Sequence, residues 1–182
     1  MAKLLWHYTN GTNIDKILAE GRIKLAVAGI KRPEKGVAWF SSNPVWDASA
    51  NRGNVQMKKA DYQPGVVFDA KPSDWDVKPF DATWMDKNMG RFRIGVIAEA
   101  APHDWKTLKK LANIPHEVAL SMERANKAEF GDPAEWYGSL TPVLREQWRT
   151  VERMERGIWV KHVDLGFAVE GMSSEGGRWG RN

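Results

Sequence analysis

Apolar positions open the chain as a short unbroken run and then change to helical spacing. Residues 4–8 (LLWHY) read as a strand carrying one histidine, His7. Over residues 12–20, Ile14, Ile17 and Leu18 recur at the three- and four-residue intervals of one helical face. Thr12 offers a hydroxyl to cap the open N–H groups, and Asp15 sits near the positive helix end. Gly21 stands where a left-handed residue closes a helix. Residues 22–27 read as extended, residues 31–36 (KRPEKG) as a polar turn, and residues 37–41 as a second strand.

The middle of the chain has less rhythm. Residues 44–50 predict one short helix, followed by a basic loop, NRGNVQMKK, over 51–59. GVVFD at 65–69 is a β-rich run, while 71–90 has no clear period and reads mostly as loop. Order returns at 91–97 (RFRIGVI), where basic and apolar residues alternate as in a half-buried strand. Asp104 caps a helix running to 112, with Trp105, Leu108 and Leu111 on its apolar face. A second helix over 116–128 starts after Pro115. Residues 135–140, 150–154, 158–162 and 166–170 read as four strands, and MERG at 154–157 supplies a hairpin turn between the middle pair. The Gly-rich tail over about 172–182 reads as frayed. With no repeat and no dividing linker, the pattern predicts a single α+β domain over 1–182, helices early and antiparallel strands late.

Composition narrows the function classes. A chain of 182 residues is long enough to bury about 70% of its unfolded surface. No apolar run approaches the roughly 18 residues of a membrane span, and the N-terminus carries no signal-peptide pattern. The absence of cysteine excludes disulfides, a thiol nucleophile and a thiolate metal site, and it fits a reducing, cytoplasmic setting. A net charge of +4 favours an anionic partner such as nucleic acid or a nucleotide. Of the ten tryptophans, most are expected in the core, and a few could stack on bases or a nicotinamide ring. There is no GxGxxG, GKS/T or HExxH, and His103, His116 and His162 lack metal-ligand spacing, so no metal is expected.

The strand LLWHYT, the helix NIDKILAEG and the second strand VAWFSS, in that order, resemble the opening of the ADP-ribosyltransferase superfamily. The resemblance is to the branch that includes DNA-modifying toxins and RNA 2′-phosphotransferases, and it covers roughly residues 4 to 42. It implies an ADP-ribosyltransferase-like split antiparallel sheet with N-terminal and mid-chain helices, and NAD as co-substrate. His7 would bond a ribose of NAD, the backbone by Tyr8 would hold the nicotinamide amide, Thr9 and Ser42 would join the NAD contacts, and Ser41 would brace the site and orient the acidic residue. Trp39 or Phe40 would flank the nicotinamide, although strand alternation lets only one face the cleft. The family's catalytic glutamate opens a late strand, which by order is Glu135 in GDPAEWYGSL; Glu117, Glu123 and Glu152 are the competing carboxylates.

Such a site cleaves the nicotinamide glycosidic bond through an oxocarbenium-like state, which a carboxylate on the ribose 2′-hydroxyl stabilises. Arg52 and Arg91 are available for the NAD diphosphate or the acceptor, and Trp136 and Tyr137 for substrate contact. The resemblance implies a toxin-like transferase, as in phage–host conflict. The basic loop and the RFR strand favour nucleic acid over protein as its acceptor. Two other readings remain open: a non-catalytic nucleotide- or nucleic-acid-binding module on the same scaffold, and an RNA 2′-phosphotransferase-like enzyme, which would need a basic pocket beside His7.

Overall fold

Strand β1 (Leu4–Asn10) carries the chain straight into helix α1 (Gly11–Glu20). The computed structural model describes residues 3–47, 55–58, 75–78, 90–128 and 130–165. β1 runs two residues further than its apolar run predicts, so the helix is capped by Asn10 and not by Thr12. The extended backbone of Asn10 turns its side-chain oxygen back to accept the Asn13 N–H at 3.1 Å. Gly21 closes α1 in the left-handed conformation, at φ 64°. Of the predicted extension over 22–27 only β2 (Arg22–Ile23) is a strand, with Ala26 bridging Val37 beyond it.

β3 (Ala38–Ser41) fulfils the second strand. The helix expected over 44–50 is absent through residue 47, because the carbonyls of Pro44 and Val45 are taken by Arg93 and Trp159 instead of a helical turn. β4 (Val55–Lys58) pairs with β5 (Trp75–Lys78) inside stretches read as loop; both strands have the two-residue alternation of a ladder. Residues 48–50, 65–69, 166–170 and the 172–182 tail lie outside the described residues.

β6 (Arg91–Ile97) matches its predicted bounds. β7 (His103–Asp104) leads into α2 (Trp105–Leu111), capped by Asp104, and α3 (His116–Ala128) follows. Along α2 the buried stripe is Trp105, Leu108 and Ala112, while Leu111 is 40% exposed. Seven residues return a helix to nearly the same azimuth and six do not, so Ala112 takes the place predicted for Leu111. A short 3-10 turn (Pro133–Glu135) precedes β8 (Trp136–Ser139), so Glu135 ends the loop rather than beginning the strand. β9 (Val143–Leu144) pairs with β2. β10 (Trp148–Glu155) and β11 (Ile158–Val163) form the predicted hairpin, turning on Arg156 and Gly157 at φ 50° and 82°.

The main sheet has the order β11-β10-β6-β1-β3-β8-β7, every neighbouring pair antiparallel. All of β1 pairs with β6, and all of β3 with β8, yet β1 and β3 share one register position, Trp6 opposite Ser41. One core packs under α1 around Leu5, Ile14, Phe40, Ile94 and Trp148; the other packs under α2 and α3 around Val37, Trp105, Leu108 and Trp136. The sheet is therefore two half-sheets joined at one rung; the core under α1 draws on both of them, and the core under α2 and α3 draws on the β3–β8 half. Among the described residues no helix is long and apolar enough to cross a membrane.

Gly95 lies opposite Trp6 in this ladder. A Cβ there would stand 2.9 Å from both the Trp6 ring and the Thr150 methyl, so only glycine lets the indole lie across β6. Gly95→Val is expected to destabilise the fold by about 1–3 kcal/mol in urea unfolding. An unchanged midpoint would show that the indole does not need that space.

Candidate functional site

Where β1 and β3 part, a cavity of about 510 Å³ enters between the two half-sheets. Its walls come from β1, α1, the 22–26 segment, β3, Trp46, Asp47, Met122 and Trp136. It borders both cores: Ile17, Ile23 and Phe40 belong to one, and Val37, Trp39 and Trp136 to the other. Trp39 and Phe40 therefore both line it. Alternation does send them to opposite faces, but the cavity lies in the gap and touches both, which corrects the expectation that one alone would face it.

His7 crosses the gap. Its Nδ1 lies 2.9 Å from the Trp39 carbonyl, which can only accept, so Nδ1–H donates and in the neutral ring Nε2 is the acceptor. The imidazole also packs near Phe40, at 5.7 Å between centroids. Ser41 is 2% exposed, and its Oγ accepts the Asn43 N–H at 3.2 Å. Asn43 then reaches Glu135: its Nδ2 donates to Oε2 at 3.1 Å, and the neighbouring Ser42 N–H donates to the Glu135 carbonyl at 2.8 Å. The Tyr8 hydroxyl donates to the Asn43 carbonyl. Burial pushes that phenol far above its ordinary value; Arg93 opposes the shift, and the charges of Asp47 and Glu135 add to it. Tyr8 is thus a neutral donor.

Two residues of this region, Arg93 and Asp47, have no site role in the sequence reading. Arg93 is 8% exposed, its guanidinium 3.9 Å from the Trp6 ring centre and 4.4 Å from that of Trp159. Its Nε donates to Glu152 at 2.6 Å, and its Nη1 to the Pro44 carbonyl. The Trp159 indole N–H donates to the Val45 carbonyl at 3.0 Å, and Trp46 lies nearly parallel to Trp159 and 4.9 Å from Tyr8. Residues 43–47 are strapped across β1, β6 and β11 by these bonds. The strap brings in the second missed residue, Asp47, which is 6% exposed, lines the cavity and accepts the Trp136 indole N–H at 3.4 Å. The only signals for these two were an arginine inside a strand and an aspartate after a tryptophan.

The remaining predicted residues are dispersed. Thr9 lines the cavity; Ser42 and Glu135 stand beside it and do not line it. Trp136 is a core residue that also borders it, whereas Tyr137 packs against the core under α1. Arg91 lies over Trp46 at 5.1 Å, outside the lining, and Arg52 lies outside the described residues. Of the competing carboxylates, Glu123 is bonded to Trp105 and Lys109, Glu152 to Arg93, and Glu117 is exposed in the first turn of α3. Lys16, Arg22 and Lys24 also line the cavity, the latter two paired with Glu20. No family model, curated protein or solved structure matches the chain.

The buried pair gives a direct check on the strap. Arg93→Met strands the Glu152 carboxylate and is expected to cost about 3–5 kcal/mol in urea unfolding, with the Arg93→Met/Glu152→Leu double variant more stable than the single. A loss under roughly 1 kcal/mol for the single variant would place the pair among weak surface bridges.

Proposed function

We propose that the chain is an NAD-dependent mono-ADP-ribosyltransferase with an ADP-ribosyltransferase-like fold, acting on a macromolecule and favouring nucleic acid over protein. The supporting observation is the convergence of His7, Ser41 and Glu135. They come from β1, β3 and the turn before β8, and they gather where the sheet opens beside the cavity. The Ser41–Asn43–Glu135 chain includes a side-chain bond between Asn43 and Glu135, 92 positions apart, and links Ser41 to Glu135 in the order that the resemblance implies.

In this reading NAD lies in the cavity with its ribose at His7, whose Nε2 accepts from a hydroxyl. Asn43 fixes one oxygen of Glu135, and the other serves the ribose 2′-hydroxyl. The C1′–N1 bond breaks, its electron pair leaving on the nicotinamide nitrogen. Positive charge spreads over C1′ and the ring oxygen, where the carboxylate offsets it. An acceptor heteroatom attacks C1′ from the opposite face and sheds its proton. Lys16, Arg22 and Lys24 face the anionic part of the substrate. The net charge of +4 is what supports a nucleic-acid acceptor. A cytoplasmic, toxin-like role belongs to the same proposal.

Labelled NAD incubated with the full chain and separate DNA, RNA and protein pools tests this. Nicotinamide release with label on a nucleic-acid pool is the expected result; neither release nor transfer overturns the reading. Glu135→Gln should slow release by roughly 10²- to 10³-fold, the loss that follows removal of one transition-state charge partner. Its melting temperature should be unchanged. Full activity in that variant would assign the role to another carboxylate.

A further inference from the structure

We propose that the corner where the 31–36 turn meets the C-terminal end of α2 is a docking surface for the phosphodiester backbone of a nucleic acid. Residues 27–36 form a loop closed at its base, where the Ala26 N–H donates to the Val37 carbonyl at 2.9 Å. Two further bonds fasten the loop to α2. The Lys35 N–H donates to the Ala112 carbonyl at 2.8 Å, and the Asn113 side-chain amide donates to the Pro33 carbonyl at 3.2 Å. Within the turn the Glu34 N–H donates to the Lys31 carbonyl at 2.8 Å.

These bonds bring Lys31, Arg32 and Lys35 to the same corner as Lys110, near the end of α2. All four are exposed, and none forms a salt bridge with a described residue. Glu34 is the one carboxylate in the turn, and it is half-buried. Lys109 differs from its neighbour Lys110: it pairs with Glu123 and lies over the Trp105 ring. Like charges held together on a surface repel, and a polyanion relieves that repulsion. The corner lacks the aromatic anchor that centres a protein interface, since Trp105, the aromatic residue of α2, is 6% exposed. Lysines outnumber arginine three to one here, and a lysine meets a phosphate as a point charge. Such contacts grip the backbone and do not read bases. Ala26 and Val37, at the base of the loop, line the cavity, so one loop serves both places. Delivery of an acceptor to the cavity rests on the transferase reading above; the binding itself does not.

Fluorescence anisotropy of the full chain with labelled duplex DNA, single-stranded DNA and RNA of mixed sequence, over a range of salt, tests this. Binding to any of the three supports the proposal, and the tightest identifies the form preferred. Four phosphate contacts predict a slope of log affinity against log salt of about −3 to −4. Affinity should therefore fall on the order of a hundredfold between roughly 50 and 200 mM salt. Lys31→Gln/Arg32→Gln/Lys35→Gln/Lys110→Gln should bring the slope near zero and weaken low-salt binding at least about tenfold. Arg145→Gln/Arg153→Gln/Arg156→Gln/Lys161→Gln removes the same charge from other exposed positions and should keep the slope. If the first variant does not fold, Lys35→Gln and Lys110→Gln singly should each lower the slope by about one. No salt-dependent binding by the wild type, or equal losses in the two quadruple variants, overturns the proposal. So does binding of polyglutamate at this corner in place of nucleic acid, which would assign it to an acidic protein. Corner-dependent binding without NAD cleavage would sink the transferase reading and leave this surface standing. Cleavage without such binding would do the reverse.

Discussion

One rung, Trp6 opposite Ser41, joins the two half-sheets, and the rest of the arrangement depends on its being alone. A full ladder between β1 and β3 would satisfy every backbone group and close the gap. Instead each strand spends its pairing on its other neighbour, β1 on β6 and β3 on β8. The gap admits a cavity that touches both cores, and the His7–Trp39 bond spans it. Trp6 is suited to the rung because it uses both sides of its ring: Gly95 gives it space on β6, and Arg93 packs on its face.

The second constraint is the strap over residues 43–47. Arg93 and Trp159 hold the Pro44 and Val45 carbonyls, so the backbone there follows the sheet surface. A buried arginine–glutamate pair adds little net stability against a well-packed apolar substitute, but it tolerates few alternative geometries. That suits its place here. It sets where Trp46 and Asp47 meet the cavity, and it leaves Asn43 in reach of both Tyr8 and Glu135. A carboxylate delivered by a loop, beside the cavity, and a histidine delivered by a strand, in its lining, thereby come from opposite half-sheets.

Elements governed by short-range rules were legible in the chain itself. β6, α3 and the β10–β11 hairpin follow from periodicity, a proline start and a left-handed turn pair. β2, β7 and β9 are two residues each, too short for any period to register. The α1 cap shifted from Thr12 to Asn10 because β1's ladder with β6 continues to Asn10, past the end of its apolar run. Residues 44–47 read as helix from local pattern and lost that structure to donors 49 and 114 positions away. The same distance hid Arg93 and Asp47: alternation assigns an arginine in a strand to solvent, and only the tertiary fold covers that face with indoles. His7, Ser41 and Glu135 were readable as an order of motifs, whereas Asn43, the residue that links the last two, carries no motif at all.

The central claim is that NAD occupies the opening between the half-sheets. Its most direct test is a backbone-amide NMR titration of the full chain with NAD. The account predicts shifts concentrated at Tyr8, Thr9, Ser41, Ser42 and Asp47, with α2 and the exposed face of α3 unchanged. Saturating NAD with no amide shift in the opening, or shifts confined to α2 and α3, would contradict it.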